Sequence, residues 1–139
     1  MSEAKEGRLV GIVLVSHSAQ VAASVAELAQ KLAGGGTDVP VAPAGGTEGG
    51  GLGTSAELIA AAASSVDRGA GVAVLTDLGS AVLTVKALLA EGDELPENTQ
   101  LVDAPFLAGA VAAVVTASTG ADLAAVAAAA SEAYGYRKV

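Results

Sequence analysis

Six of the seven residues from Leu9 to Val15 are aliphatic, and the run ends abruptly at Ser16-His17-Ser18. A half-exposed strand alternates apolar and polar residues, whereas an unbroken aliphatic run suits a strand covered on both faces, as in a parallel sheet. Parallel strands need crossover helices, so this one segment points to an α/β architecture. After the polar triplet, Ala19 to Leu32 is rich in alanine and reads as a helix with Ser18 as its cap. His17, the chain's one histidine, therefore falls at the carboxyl end of a first strand and just before a helix. Open α/β sheets gather their chemistry at that position.

The rest of the chain repeats the pattern. Gly34-Gly35-Gly36 stops the first helix. Val39-Pro40-Val41-Ala42-Pro43-Ala44 reads as a short strand that its prolines confine to an edge. Gly45 to Gly53 holds six glycines in nine residues and runs through Thr54-Ser55 into a helix ending near Val66. Val72 to Leu75 is a third aliphatic strand, which leads into Thr76-Asp77-Leu78-Gly79-Ser80 and a helix over 81–90. A fourth strand over 100–103 is broken by Ala104-Pro105-Phe106-Leu107, and helices follow over 108–118 and 121–134. The expectation is a doubly wound α/β fold with a mainly parallel four-stranded sheet and helices on both faces. Right-handed crossovers and a further strand at one edge belong to that expectation. Residues 1–8 read as a disordered lead-in to a single domain spanning 9–139.

Bulk properties narrow the function. With 139 residues, 52% of them hydrophobic and 2% aromatic, the chain has one core to build, from Ala, Val and Leu. A net charge of −8 has the wrong sign for a nucleic-acid partner. The absence of cysteine excludes disulfides and thiolate metal sites, and one histidine excludes multi-histidine zinc sites. The acidic start does not read as a signal peptide, and no apolar run reaches the roughly 20 residues of a membrane span. A cytoplasmic protein with no membrane partner is expected.

Imidazole titrates near neutrality, with an unperturbed pKa of about 6.5. A carboxylate on one ring nitrogen fixes the tautomer and frees the other nitrogen to attack. Asp77 is placed for that role if the first and third strands are neighbours. Backbone amides of Gly45 and Gly46, with hydroxyls of Thr54, Ser55 and Ser80, form a candidate set of donors for phosphoryl oxygens. The loop is not a P-loop, since no Gly-Lys-Ser/Thr occurs. Plainer readings stand beside these: His17 satisfying a local hydrogen bond, Asp77 capping the next helix, and 45–53 as an ordinary surface loop. A non-catalytic module that binds an anion or nucleotide through Gly45–Ser55 is a further alternative. A tetrapyrrole metal chelatase wants a second histidine or a well-placed glutamate, and a phosphoglycerate-mutase-like enzyme wants an arginine beside its histidine and a second histidine; the chain has one histidine, and no arginine neighbours it in sequence.

Four motifs, in order, resemble one family: Val15-Ser16-His17-Ser18, the Gly45–Ser55 loop, Asp77-Leu78-Gly79-Ser80-Ala81 and Ala104-Pro105-Phe106-Leu107-Ala108-Gly109-Ala110. They are similar to the phosphocarrier subunits, DhaM, of phosphotransferase-system-dependent dihydroxyacetone kinases, within the mannose-type enzyme IIA superfamily. The resemblance runs from Leu9 to Tyr134. It implies that His17 is phosphorylated by HPr and donates to ADP on the subunit DhaL, the ATP then serving dihydroxyacetone on DhaK. It also implies that Asp77 orients His17 and that the protein is a homodimer; no metal and no cofactor are expected. HPr-like and enzyme-I-like parts, fused in some relatives, would be separate proteins here. The sugar-transporting branch of the superfamily is the alternative within the family. The extra glycines of the loop leave open which amides meet the phosphoryl group.

Overall fold

The computed structural model describes residues 8–34 and 38–139. The lead-in up to residue 7, and Gly35 and Gly36 of the expected helix stop, lie outside the described residues. Strands β1 (Gly11–Ser16), β2 (Val41–Gly45), β3 (Val72–Thr76) and β4 (Thr99–Leu101) form one sheet in the order β2-β1-β3-β4. All three pairings are parallel. The helices are α1 (Ala19–Leu32), α2 (Ala56–Val66), α3 (Gly79–Glu91), α4 (Phe106–Ser118) and α5 (Leu123–Glu132), followed by a 3-10 turn over Ala133–Gly135.

β1 is central, and every residue of it is buried. Its alternate side chains feed two separate cores, because successive strand residues point to opposite faces. Ile12 and Leu14 join Ala73 and Leu75 of β3 under α1, α4 and α5. Val13 and Val15 join Val72 and Val74 under α2 and α3. The buried helix positions are mostly alanine: Ala22, Ala26 and Ala29 on α1, and Ala110, Ala113 and Ala117 on α4. Small faces let helices lie close to the sheet, which is how a chain with almost no aromatic side chains fills its interior.

Among the described residues the sheet has four strands, so the further edge strand is a correction. After β4 the remaining sequence is two alanine-rich stretches, and alanine has the highest helix propensity and little tendency to form strands. β2, with Pro43 inside it, is an edge as expected. Three helix starts also differ from the sequence reading; α3 begins at Gly79, directly after its cap residue Leu78, rather than at 81. α4 begins at Phe106 because Pro105, with φ of −65°, stands just ahead of the first turn. α5 begins at Leu123 because the Asp122 carboxylate accepts from the Ala125 amide at 2.9 Å.

Candidate active site at the carboxyl ends of β1 and β3

The strand order reverses direction about β1 and β3, and the carboxyl ends of these neighbours frame the crevice where such sheets hold ligands. The Asp77 amide donates to the Val15 carbonyl at 3.0 Å, which carries the β1–β3 pairing one residue past β3. The Asp77 side chain thereby arrives beside the turn that follows β1.

There it holds His17 twice. The His17 backbone amide donates to Asp77 Oδ2 at 3.0 Å, and His17 Nδ1 lies 2.9 Å from Asp77 Oδ1. An ionised carboxylate only accepts, so this contact assigns the proton to Nδ1 and leaves the Nε2 lone pair free. Nε2 faces the hydroxyl of Ser80, at the start of α3. The side chains of His17 and Asp77 are 25% and 17% exposed, so the pair is sheltered but reachable. Burial works to raise the Asp77 carboxyl. The hydrogen bonds from the His17 amide, the His17 ring and the Ser16 hydroxyl outweigh it, and the group sits below its ordinary 3.8.

Asp77 does not cap α3. The residue at the cap is Leu78, and both carboxylate oxygens face the β1 turn instead. On the far side of Asp77 lies a cleft of about 480 Å³, lined in part by Thr76, Leu78, Lys86, Asp103 and Tyr134. Tyr134 donates its hydroxyl to Asp103 at 2.6 Å, which fastens the 3-10 turn to the end of β4.

The expected phosphoryl donors fall into different places. Ser80 touches the imidazole. Thr54 Oγ1 lies 2.9 Å from Thr84 Oγ1, one helical turn beyond Ser80, and so ties the glycine loop to α3. Ser55 is buried, and its hydroxyl caps α2 by accepting from the Leu58 amide at 3.2 Å. The Gly46 amide donates to the Ser16 carbonyl at 3.1 Å. Gly45 passes so close to α1 that a Cβ there would stand 2.4 Å from the Ser18 carbonyl oxygen. In this structure the Gly46 amide is thus engaged with β1 and the Ser55 hydroxyl oxygen with the α2 cap.

Two participants escaped the sequence reading. The Gly53 amide donates to the His17 carbonyl at 2.9 Å, and Ser16 donates its hydroxyl to Asp77 Oδ2 at 2.9 Å. Ser16 did carry a signal, since a hydroxyl that ends a strand buried on both faces must find a partner. The acidic side chains Glu91, Asp93 and Glu94 come close enough to share a cation, but all three are exposed at the C-terminal end of α3, opposite Ser80.

Comparison with known proteins accords with this geometry. The model of the EIIA-man family, described as the PTS system fructose IIA component, matches residues 11–127. The chain is 35% identical over 108 residues to the phosphoryl donor subunit DhaM of PEP-dependent dihydroxyacetone kinase 2 from Listeria innocua, covering 77% of this chain and 85% of that protein. It is 34% identical over 125 residues to the corresponding DhaM subunit from Escherichia coli, covering 83% of this chain but only 25% of that longer protein. A crystal structure of a protein of unknown function superposes with a TM-score of 0.80 at 28% identity, covering 94% of this chain and 99% of the other. A sigma-54 interaction domain protein from Enterococcus faecalis shares the fold, with a TM-score of 0.63 at 20% identity over 91% of each chain. With the histidine at the strand end, its carboxylate and these matches together, the chain belongs to the EIIA-man family of phosphotransferase-system IIA components, and within it to the DhaM group.

Proposed function

We propose that the chain is a phosphohistidine carrier serving a dihydroxyacetone kinase. His17 Nε2 attacks the phosphorus held on the phosphohistidine of HPr. A new N–P bond forms at His17 as the donor's N–P bond breaks, and the bonding pair returns to the donor imidazole. In the second step the β-phosphate oxygen of ADP on DhaL attacks the same phosphorus. His17 leaves with its lone pair, and the product is ATP for dihydroxyacetone bound on DhaK. The observation that carries this reading is a histidine whose Nδ1 is pinned by Asp77 while its Nε2 faces outward beside a hydroxyl.

Asp77 keeps one tautomer in place throughout and stabilises the positive charge that the ring acquires when Nε2 is bonded to phosphorus. The Ser80 hydroxyl, which contacts free Nε2, is placed to donate to a phosphoryl oxygen once Nε2 is occupied. The homodimer is part of the same proposal and rests on family resemblance. A non-catalytic anion-binding loop is disfavoured, because Gly46, Thr47, Gly50 and Gly53 direct their amides to carbonyls of the chain itself.

Incubation with phosphoenolpyruvate, enzyme I and HPr is expected to add one acid-labile phosphoryl group, read by intact mass. Subsequent addition of DhaL and ADP is expected to remove it. Uptake that persists in His17→Ala would overturn the assignment. Discharge to a sugar-transport component, with none to DhaL and ADP, would favour the sugar branch of the family.

A further inference from the structure

We infer that Ser16 is a positioning residue for the Asp77–His17 pair, an inference whose catalytic consequence rests on the phosphohistidine reading. Ser16 is the last residue of β1, 1% exposed, and one of two buried polar side chains among the described residues. A hydroxyl has one proton to give and two lone pairs to receive with. Ser16 Oγ gives its proton to Asp77 Oδ2 at 2.9 Å and accepts from the Ser18 amide at 3.1 Å. Ser18 is the cap residue of α1, so one buried oxygen links the start of that helix to the carboxylate at the end of β3.

The consequence lies in how the two carboxylate oxygens are divided. Oδ2 receives two donors, the Ser16 hydroxyl and the His17 amide, which leaves Oδ1 to face Nδ1. With the hydroxyl removed, Oδ2 keeps only the His17 amide and the carboxylate can turn about its Cβ–Cγ bond. Oδ1 then no longer holds one geometry against Nδ1, and the preference for the tautomer with a free Nε2 weakens. Ser16 itself touches neither the reactive nitrogen nor anything bonded to it.

The test uses phosphoramidate, a small donor that needs no protein partner. Nε2 attacks its phosphorus, the P–N bond of the reagent breaks, and ammonia leaves with the bonding pair while Nδ1 keeps its proton. Ser16→Ala is expected to slow phosphorylation of His17 about tenfold, the low end of what loss of an outer hydrogen-bond partner costs at tuned histidines. Its ring nitrogen-15 shifts are expected to move from a single tautomer towards a mixture. Ser16→Thr, which keeps the hydroxyl, is expected to restore both. A Ser16→Ala protein with unchanged rate and unchanged ring shifts would overturn the inference, even if its melting temperature fell. If Ser16→Ala fails to fold, Ser16→Cys reads the same two signals with a weaker donor. If wild-type His17 takes no phosphoryl group while the ring shifts still respond to Ser16→Ala, the carrier reading fails and the positioning role stands.

Discussion

One carboxylate grips His17 by its main chain and by its ring, and that double hold sets what a change at Asp77 should do. Asp77→Asn offers an amide where Nδ1 needs a full negative charge, so phosphoryl uptake is expected to slow about 10–100-fold with His17 still the site, read by intact-mass time courses. The same change is expected to destabilise the fold by about 1.5–3 kcal/mol near pH 7, the range for hydrogen bonds to a charged group. The sign of the pH dependence follows from the lowered carboxyl. Stability from ionised Asp77 is complete above the unfolded carboxyl value of about 4. It is lost as pH falls through the lower folded value. Denaturant curves for wild type and Asp77→Asn are therefore expected to converge below about pH 4. A gap that stays constant down to acid pH would refute this. His17 and Asp77 were legible in the sequence because each follows an aliphatic strand, and parallel neighbours bring such ends together. Ser16 and Gly46 were not legible, because the destination of a hydroxyl or an amide depends on which strand lies alongside.

Elements meet at contacts no motif announces. The glycine loop looked like a cradle for an anion. Its hydrogen bonds instead close it on itself and staple it to β1 and the His17 turn. Gly45 serves that packing, since any Cβ would run into the Ser18 carbonyl at the start of α1. Gly45→Ala is expected to cost about 1–3 kcal/mol, the usual range for forcing atoms into a packed site, measured as a lower urea midpoint. Ser55→Ala separates capping from chemistry. Loss of the α2 cap is expected to cost about 1 kcal/mol and to leave the rate of phosphoryl uptake unchanged. A strong loss of uptake at unchanged stability would return Ser55 to the phosphoryl site. The strand and helix sequence was readable from apolar runs and glycine stops. The starts of α4 and α5 were not, because Pro105 and Asp122 set them through local geometry rather than through hydrophobic period.

At the scale of the molecule, a sheet covered on both faces leaves its carboxyl edge as the place where side chains from separate strands can cooperate. The parallel α/β class was readable because β1 has no polar face to offer. The four strands were readable too, and only the added edge strand was not, because composition alone does not say when a sheet stops growing. Held through its main chain and its ring by one carboxylate, His17 presents Nε2 in a single direction. On the proposed carrier reading, the partner that delivers to Nε2 and the partner that collects from it use one doorway in turn. Unphosphorylated HPr added in excess is therefore expected to slow discharge to DhaL and ADP as a competitor, relieved by more DhaL. Discharge at full speed under saturating HPr would mean two entrances, and the lock on the ring permits one.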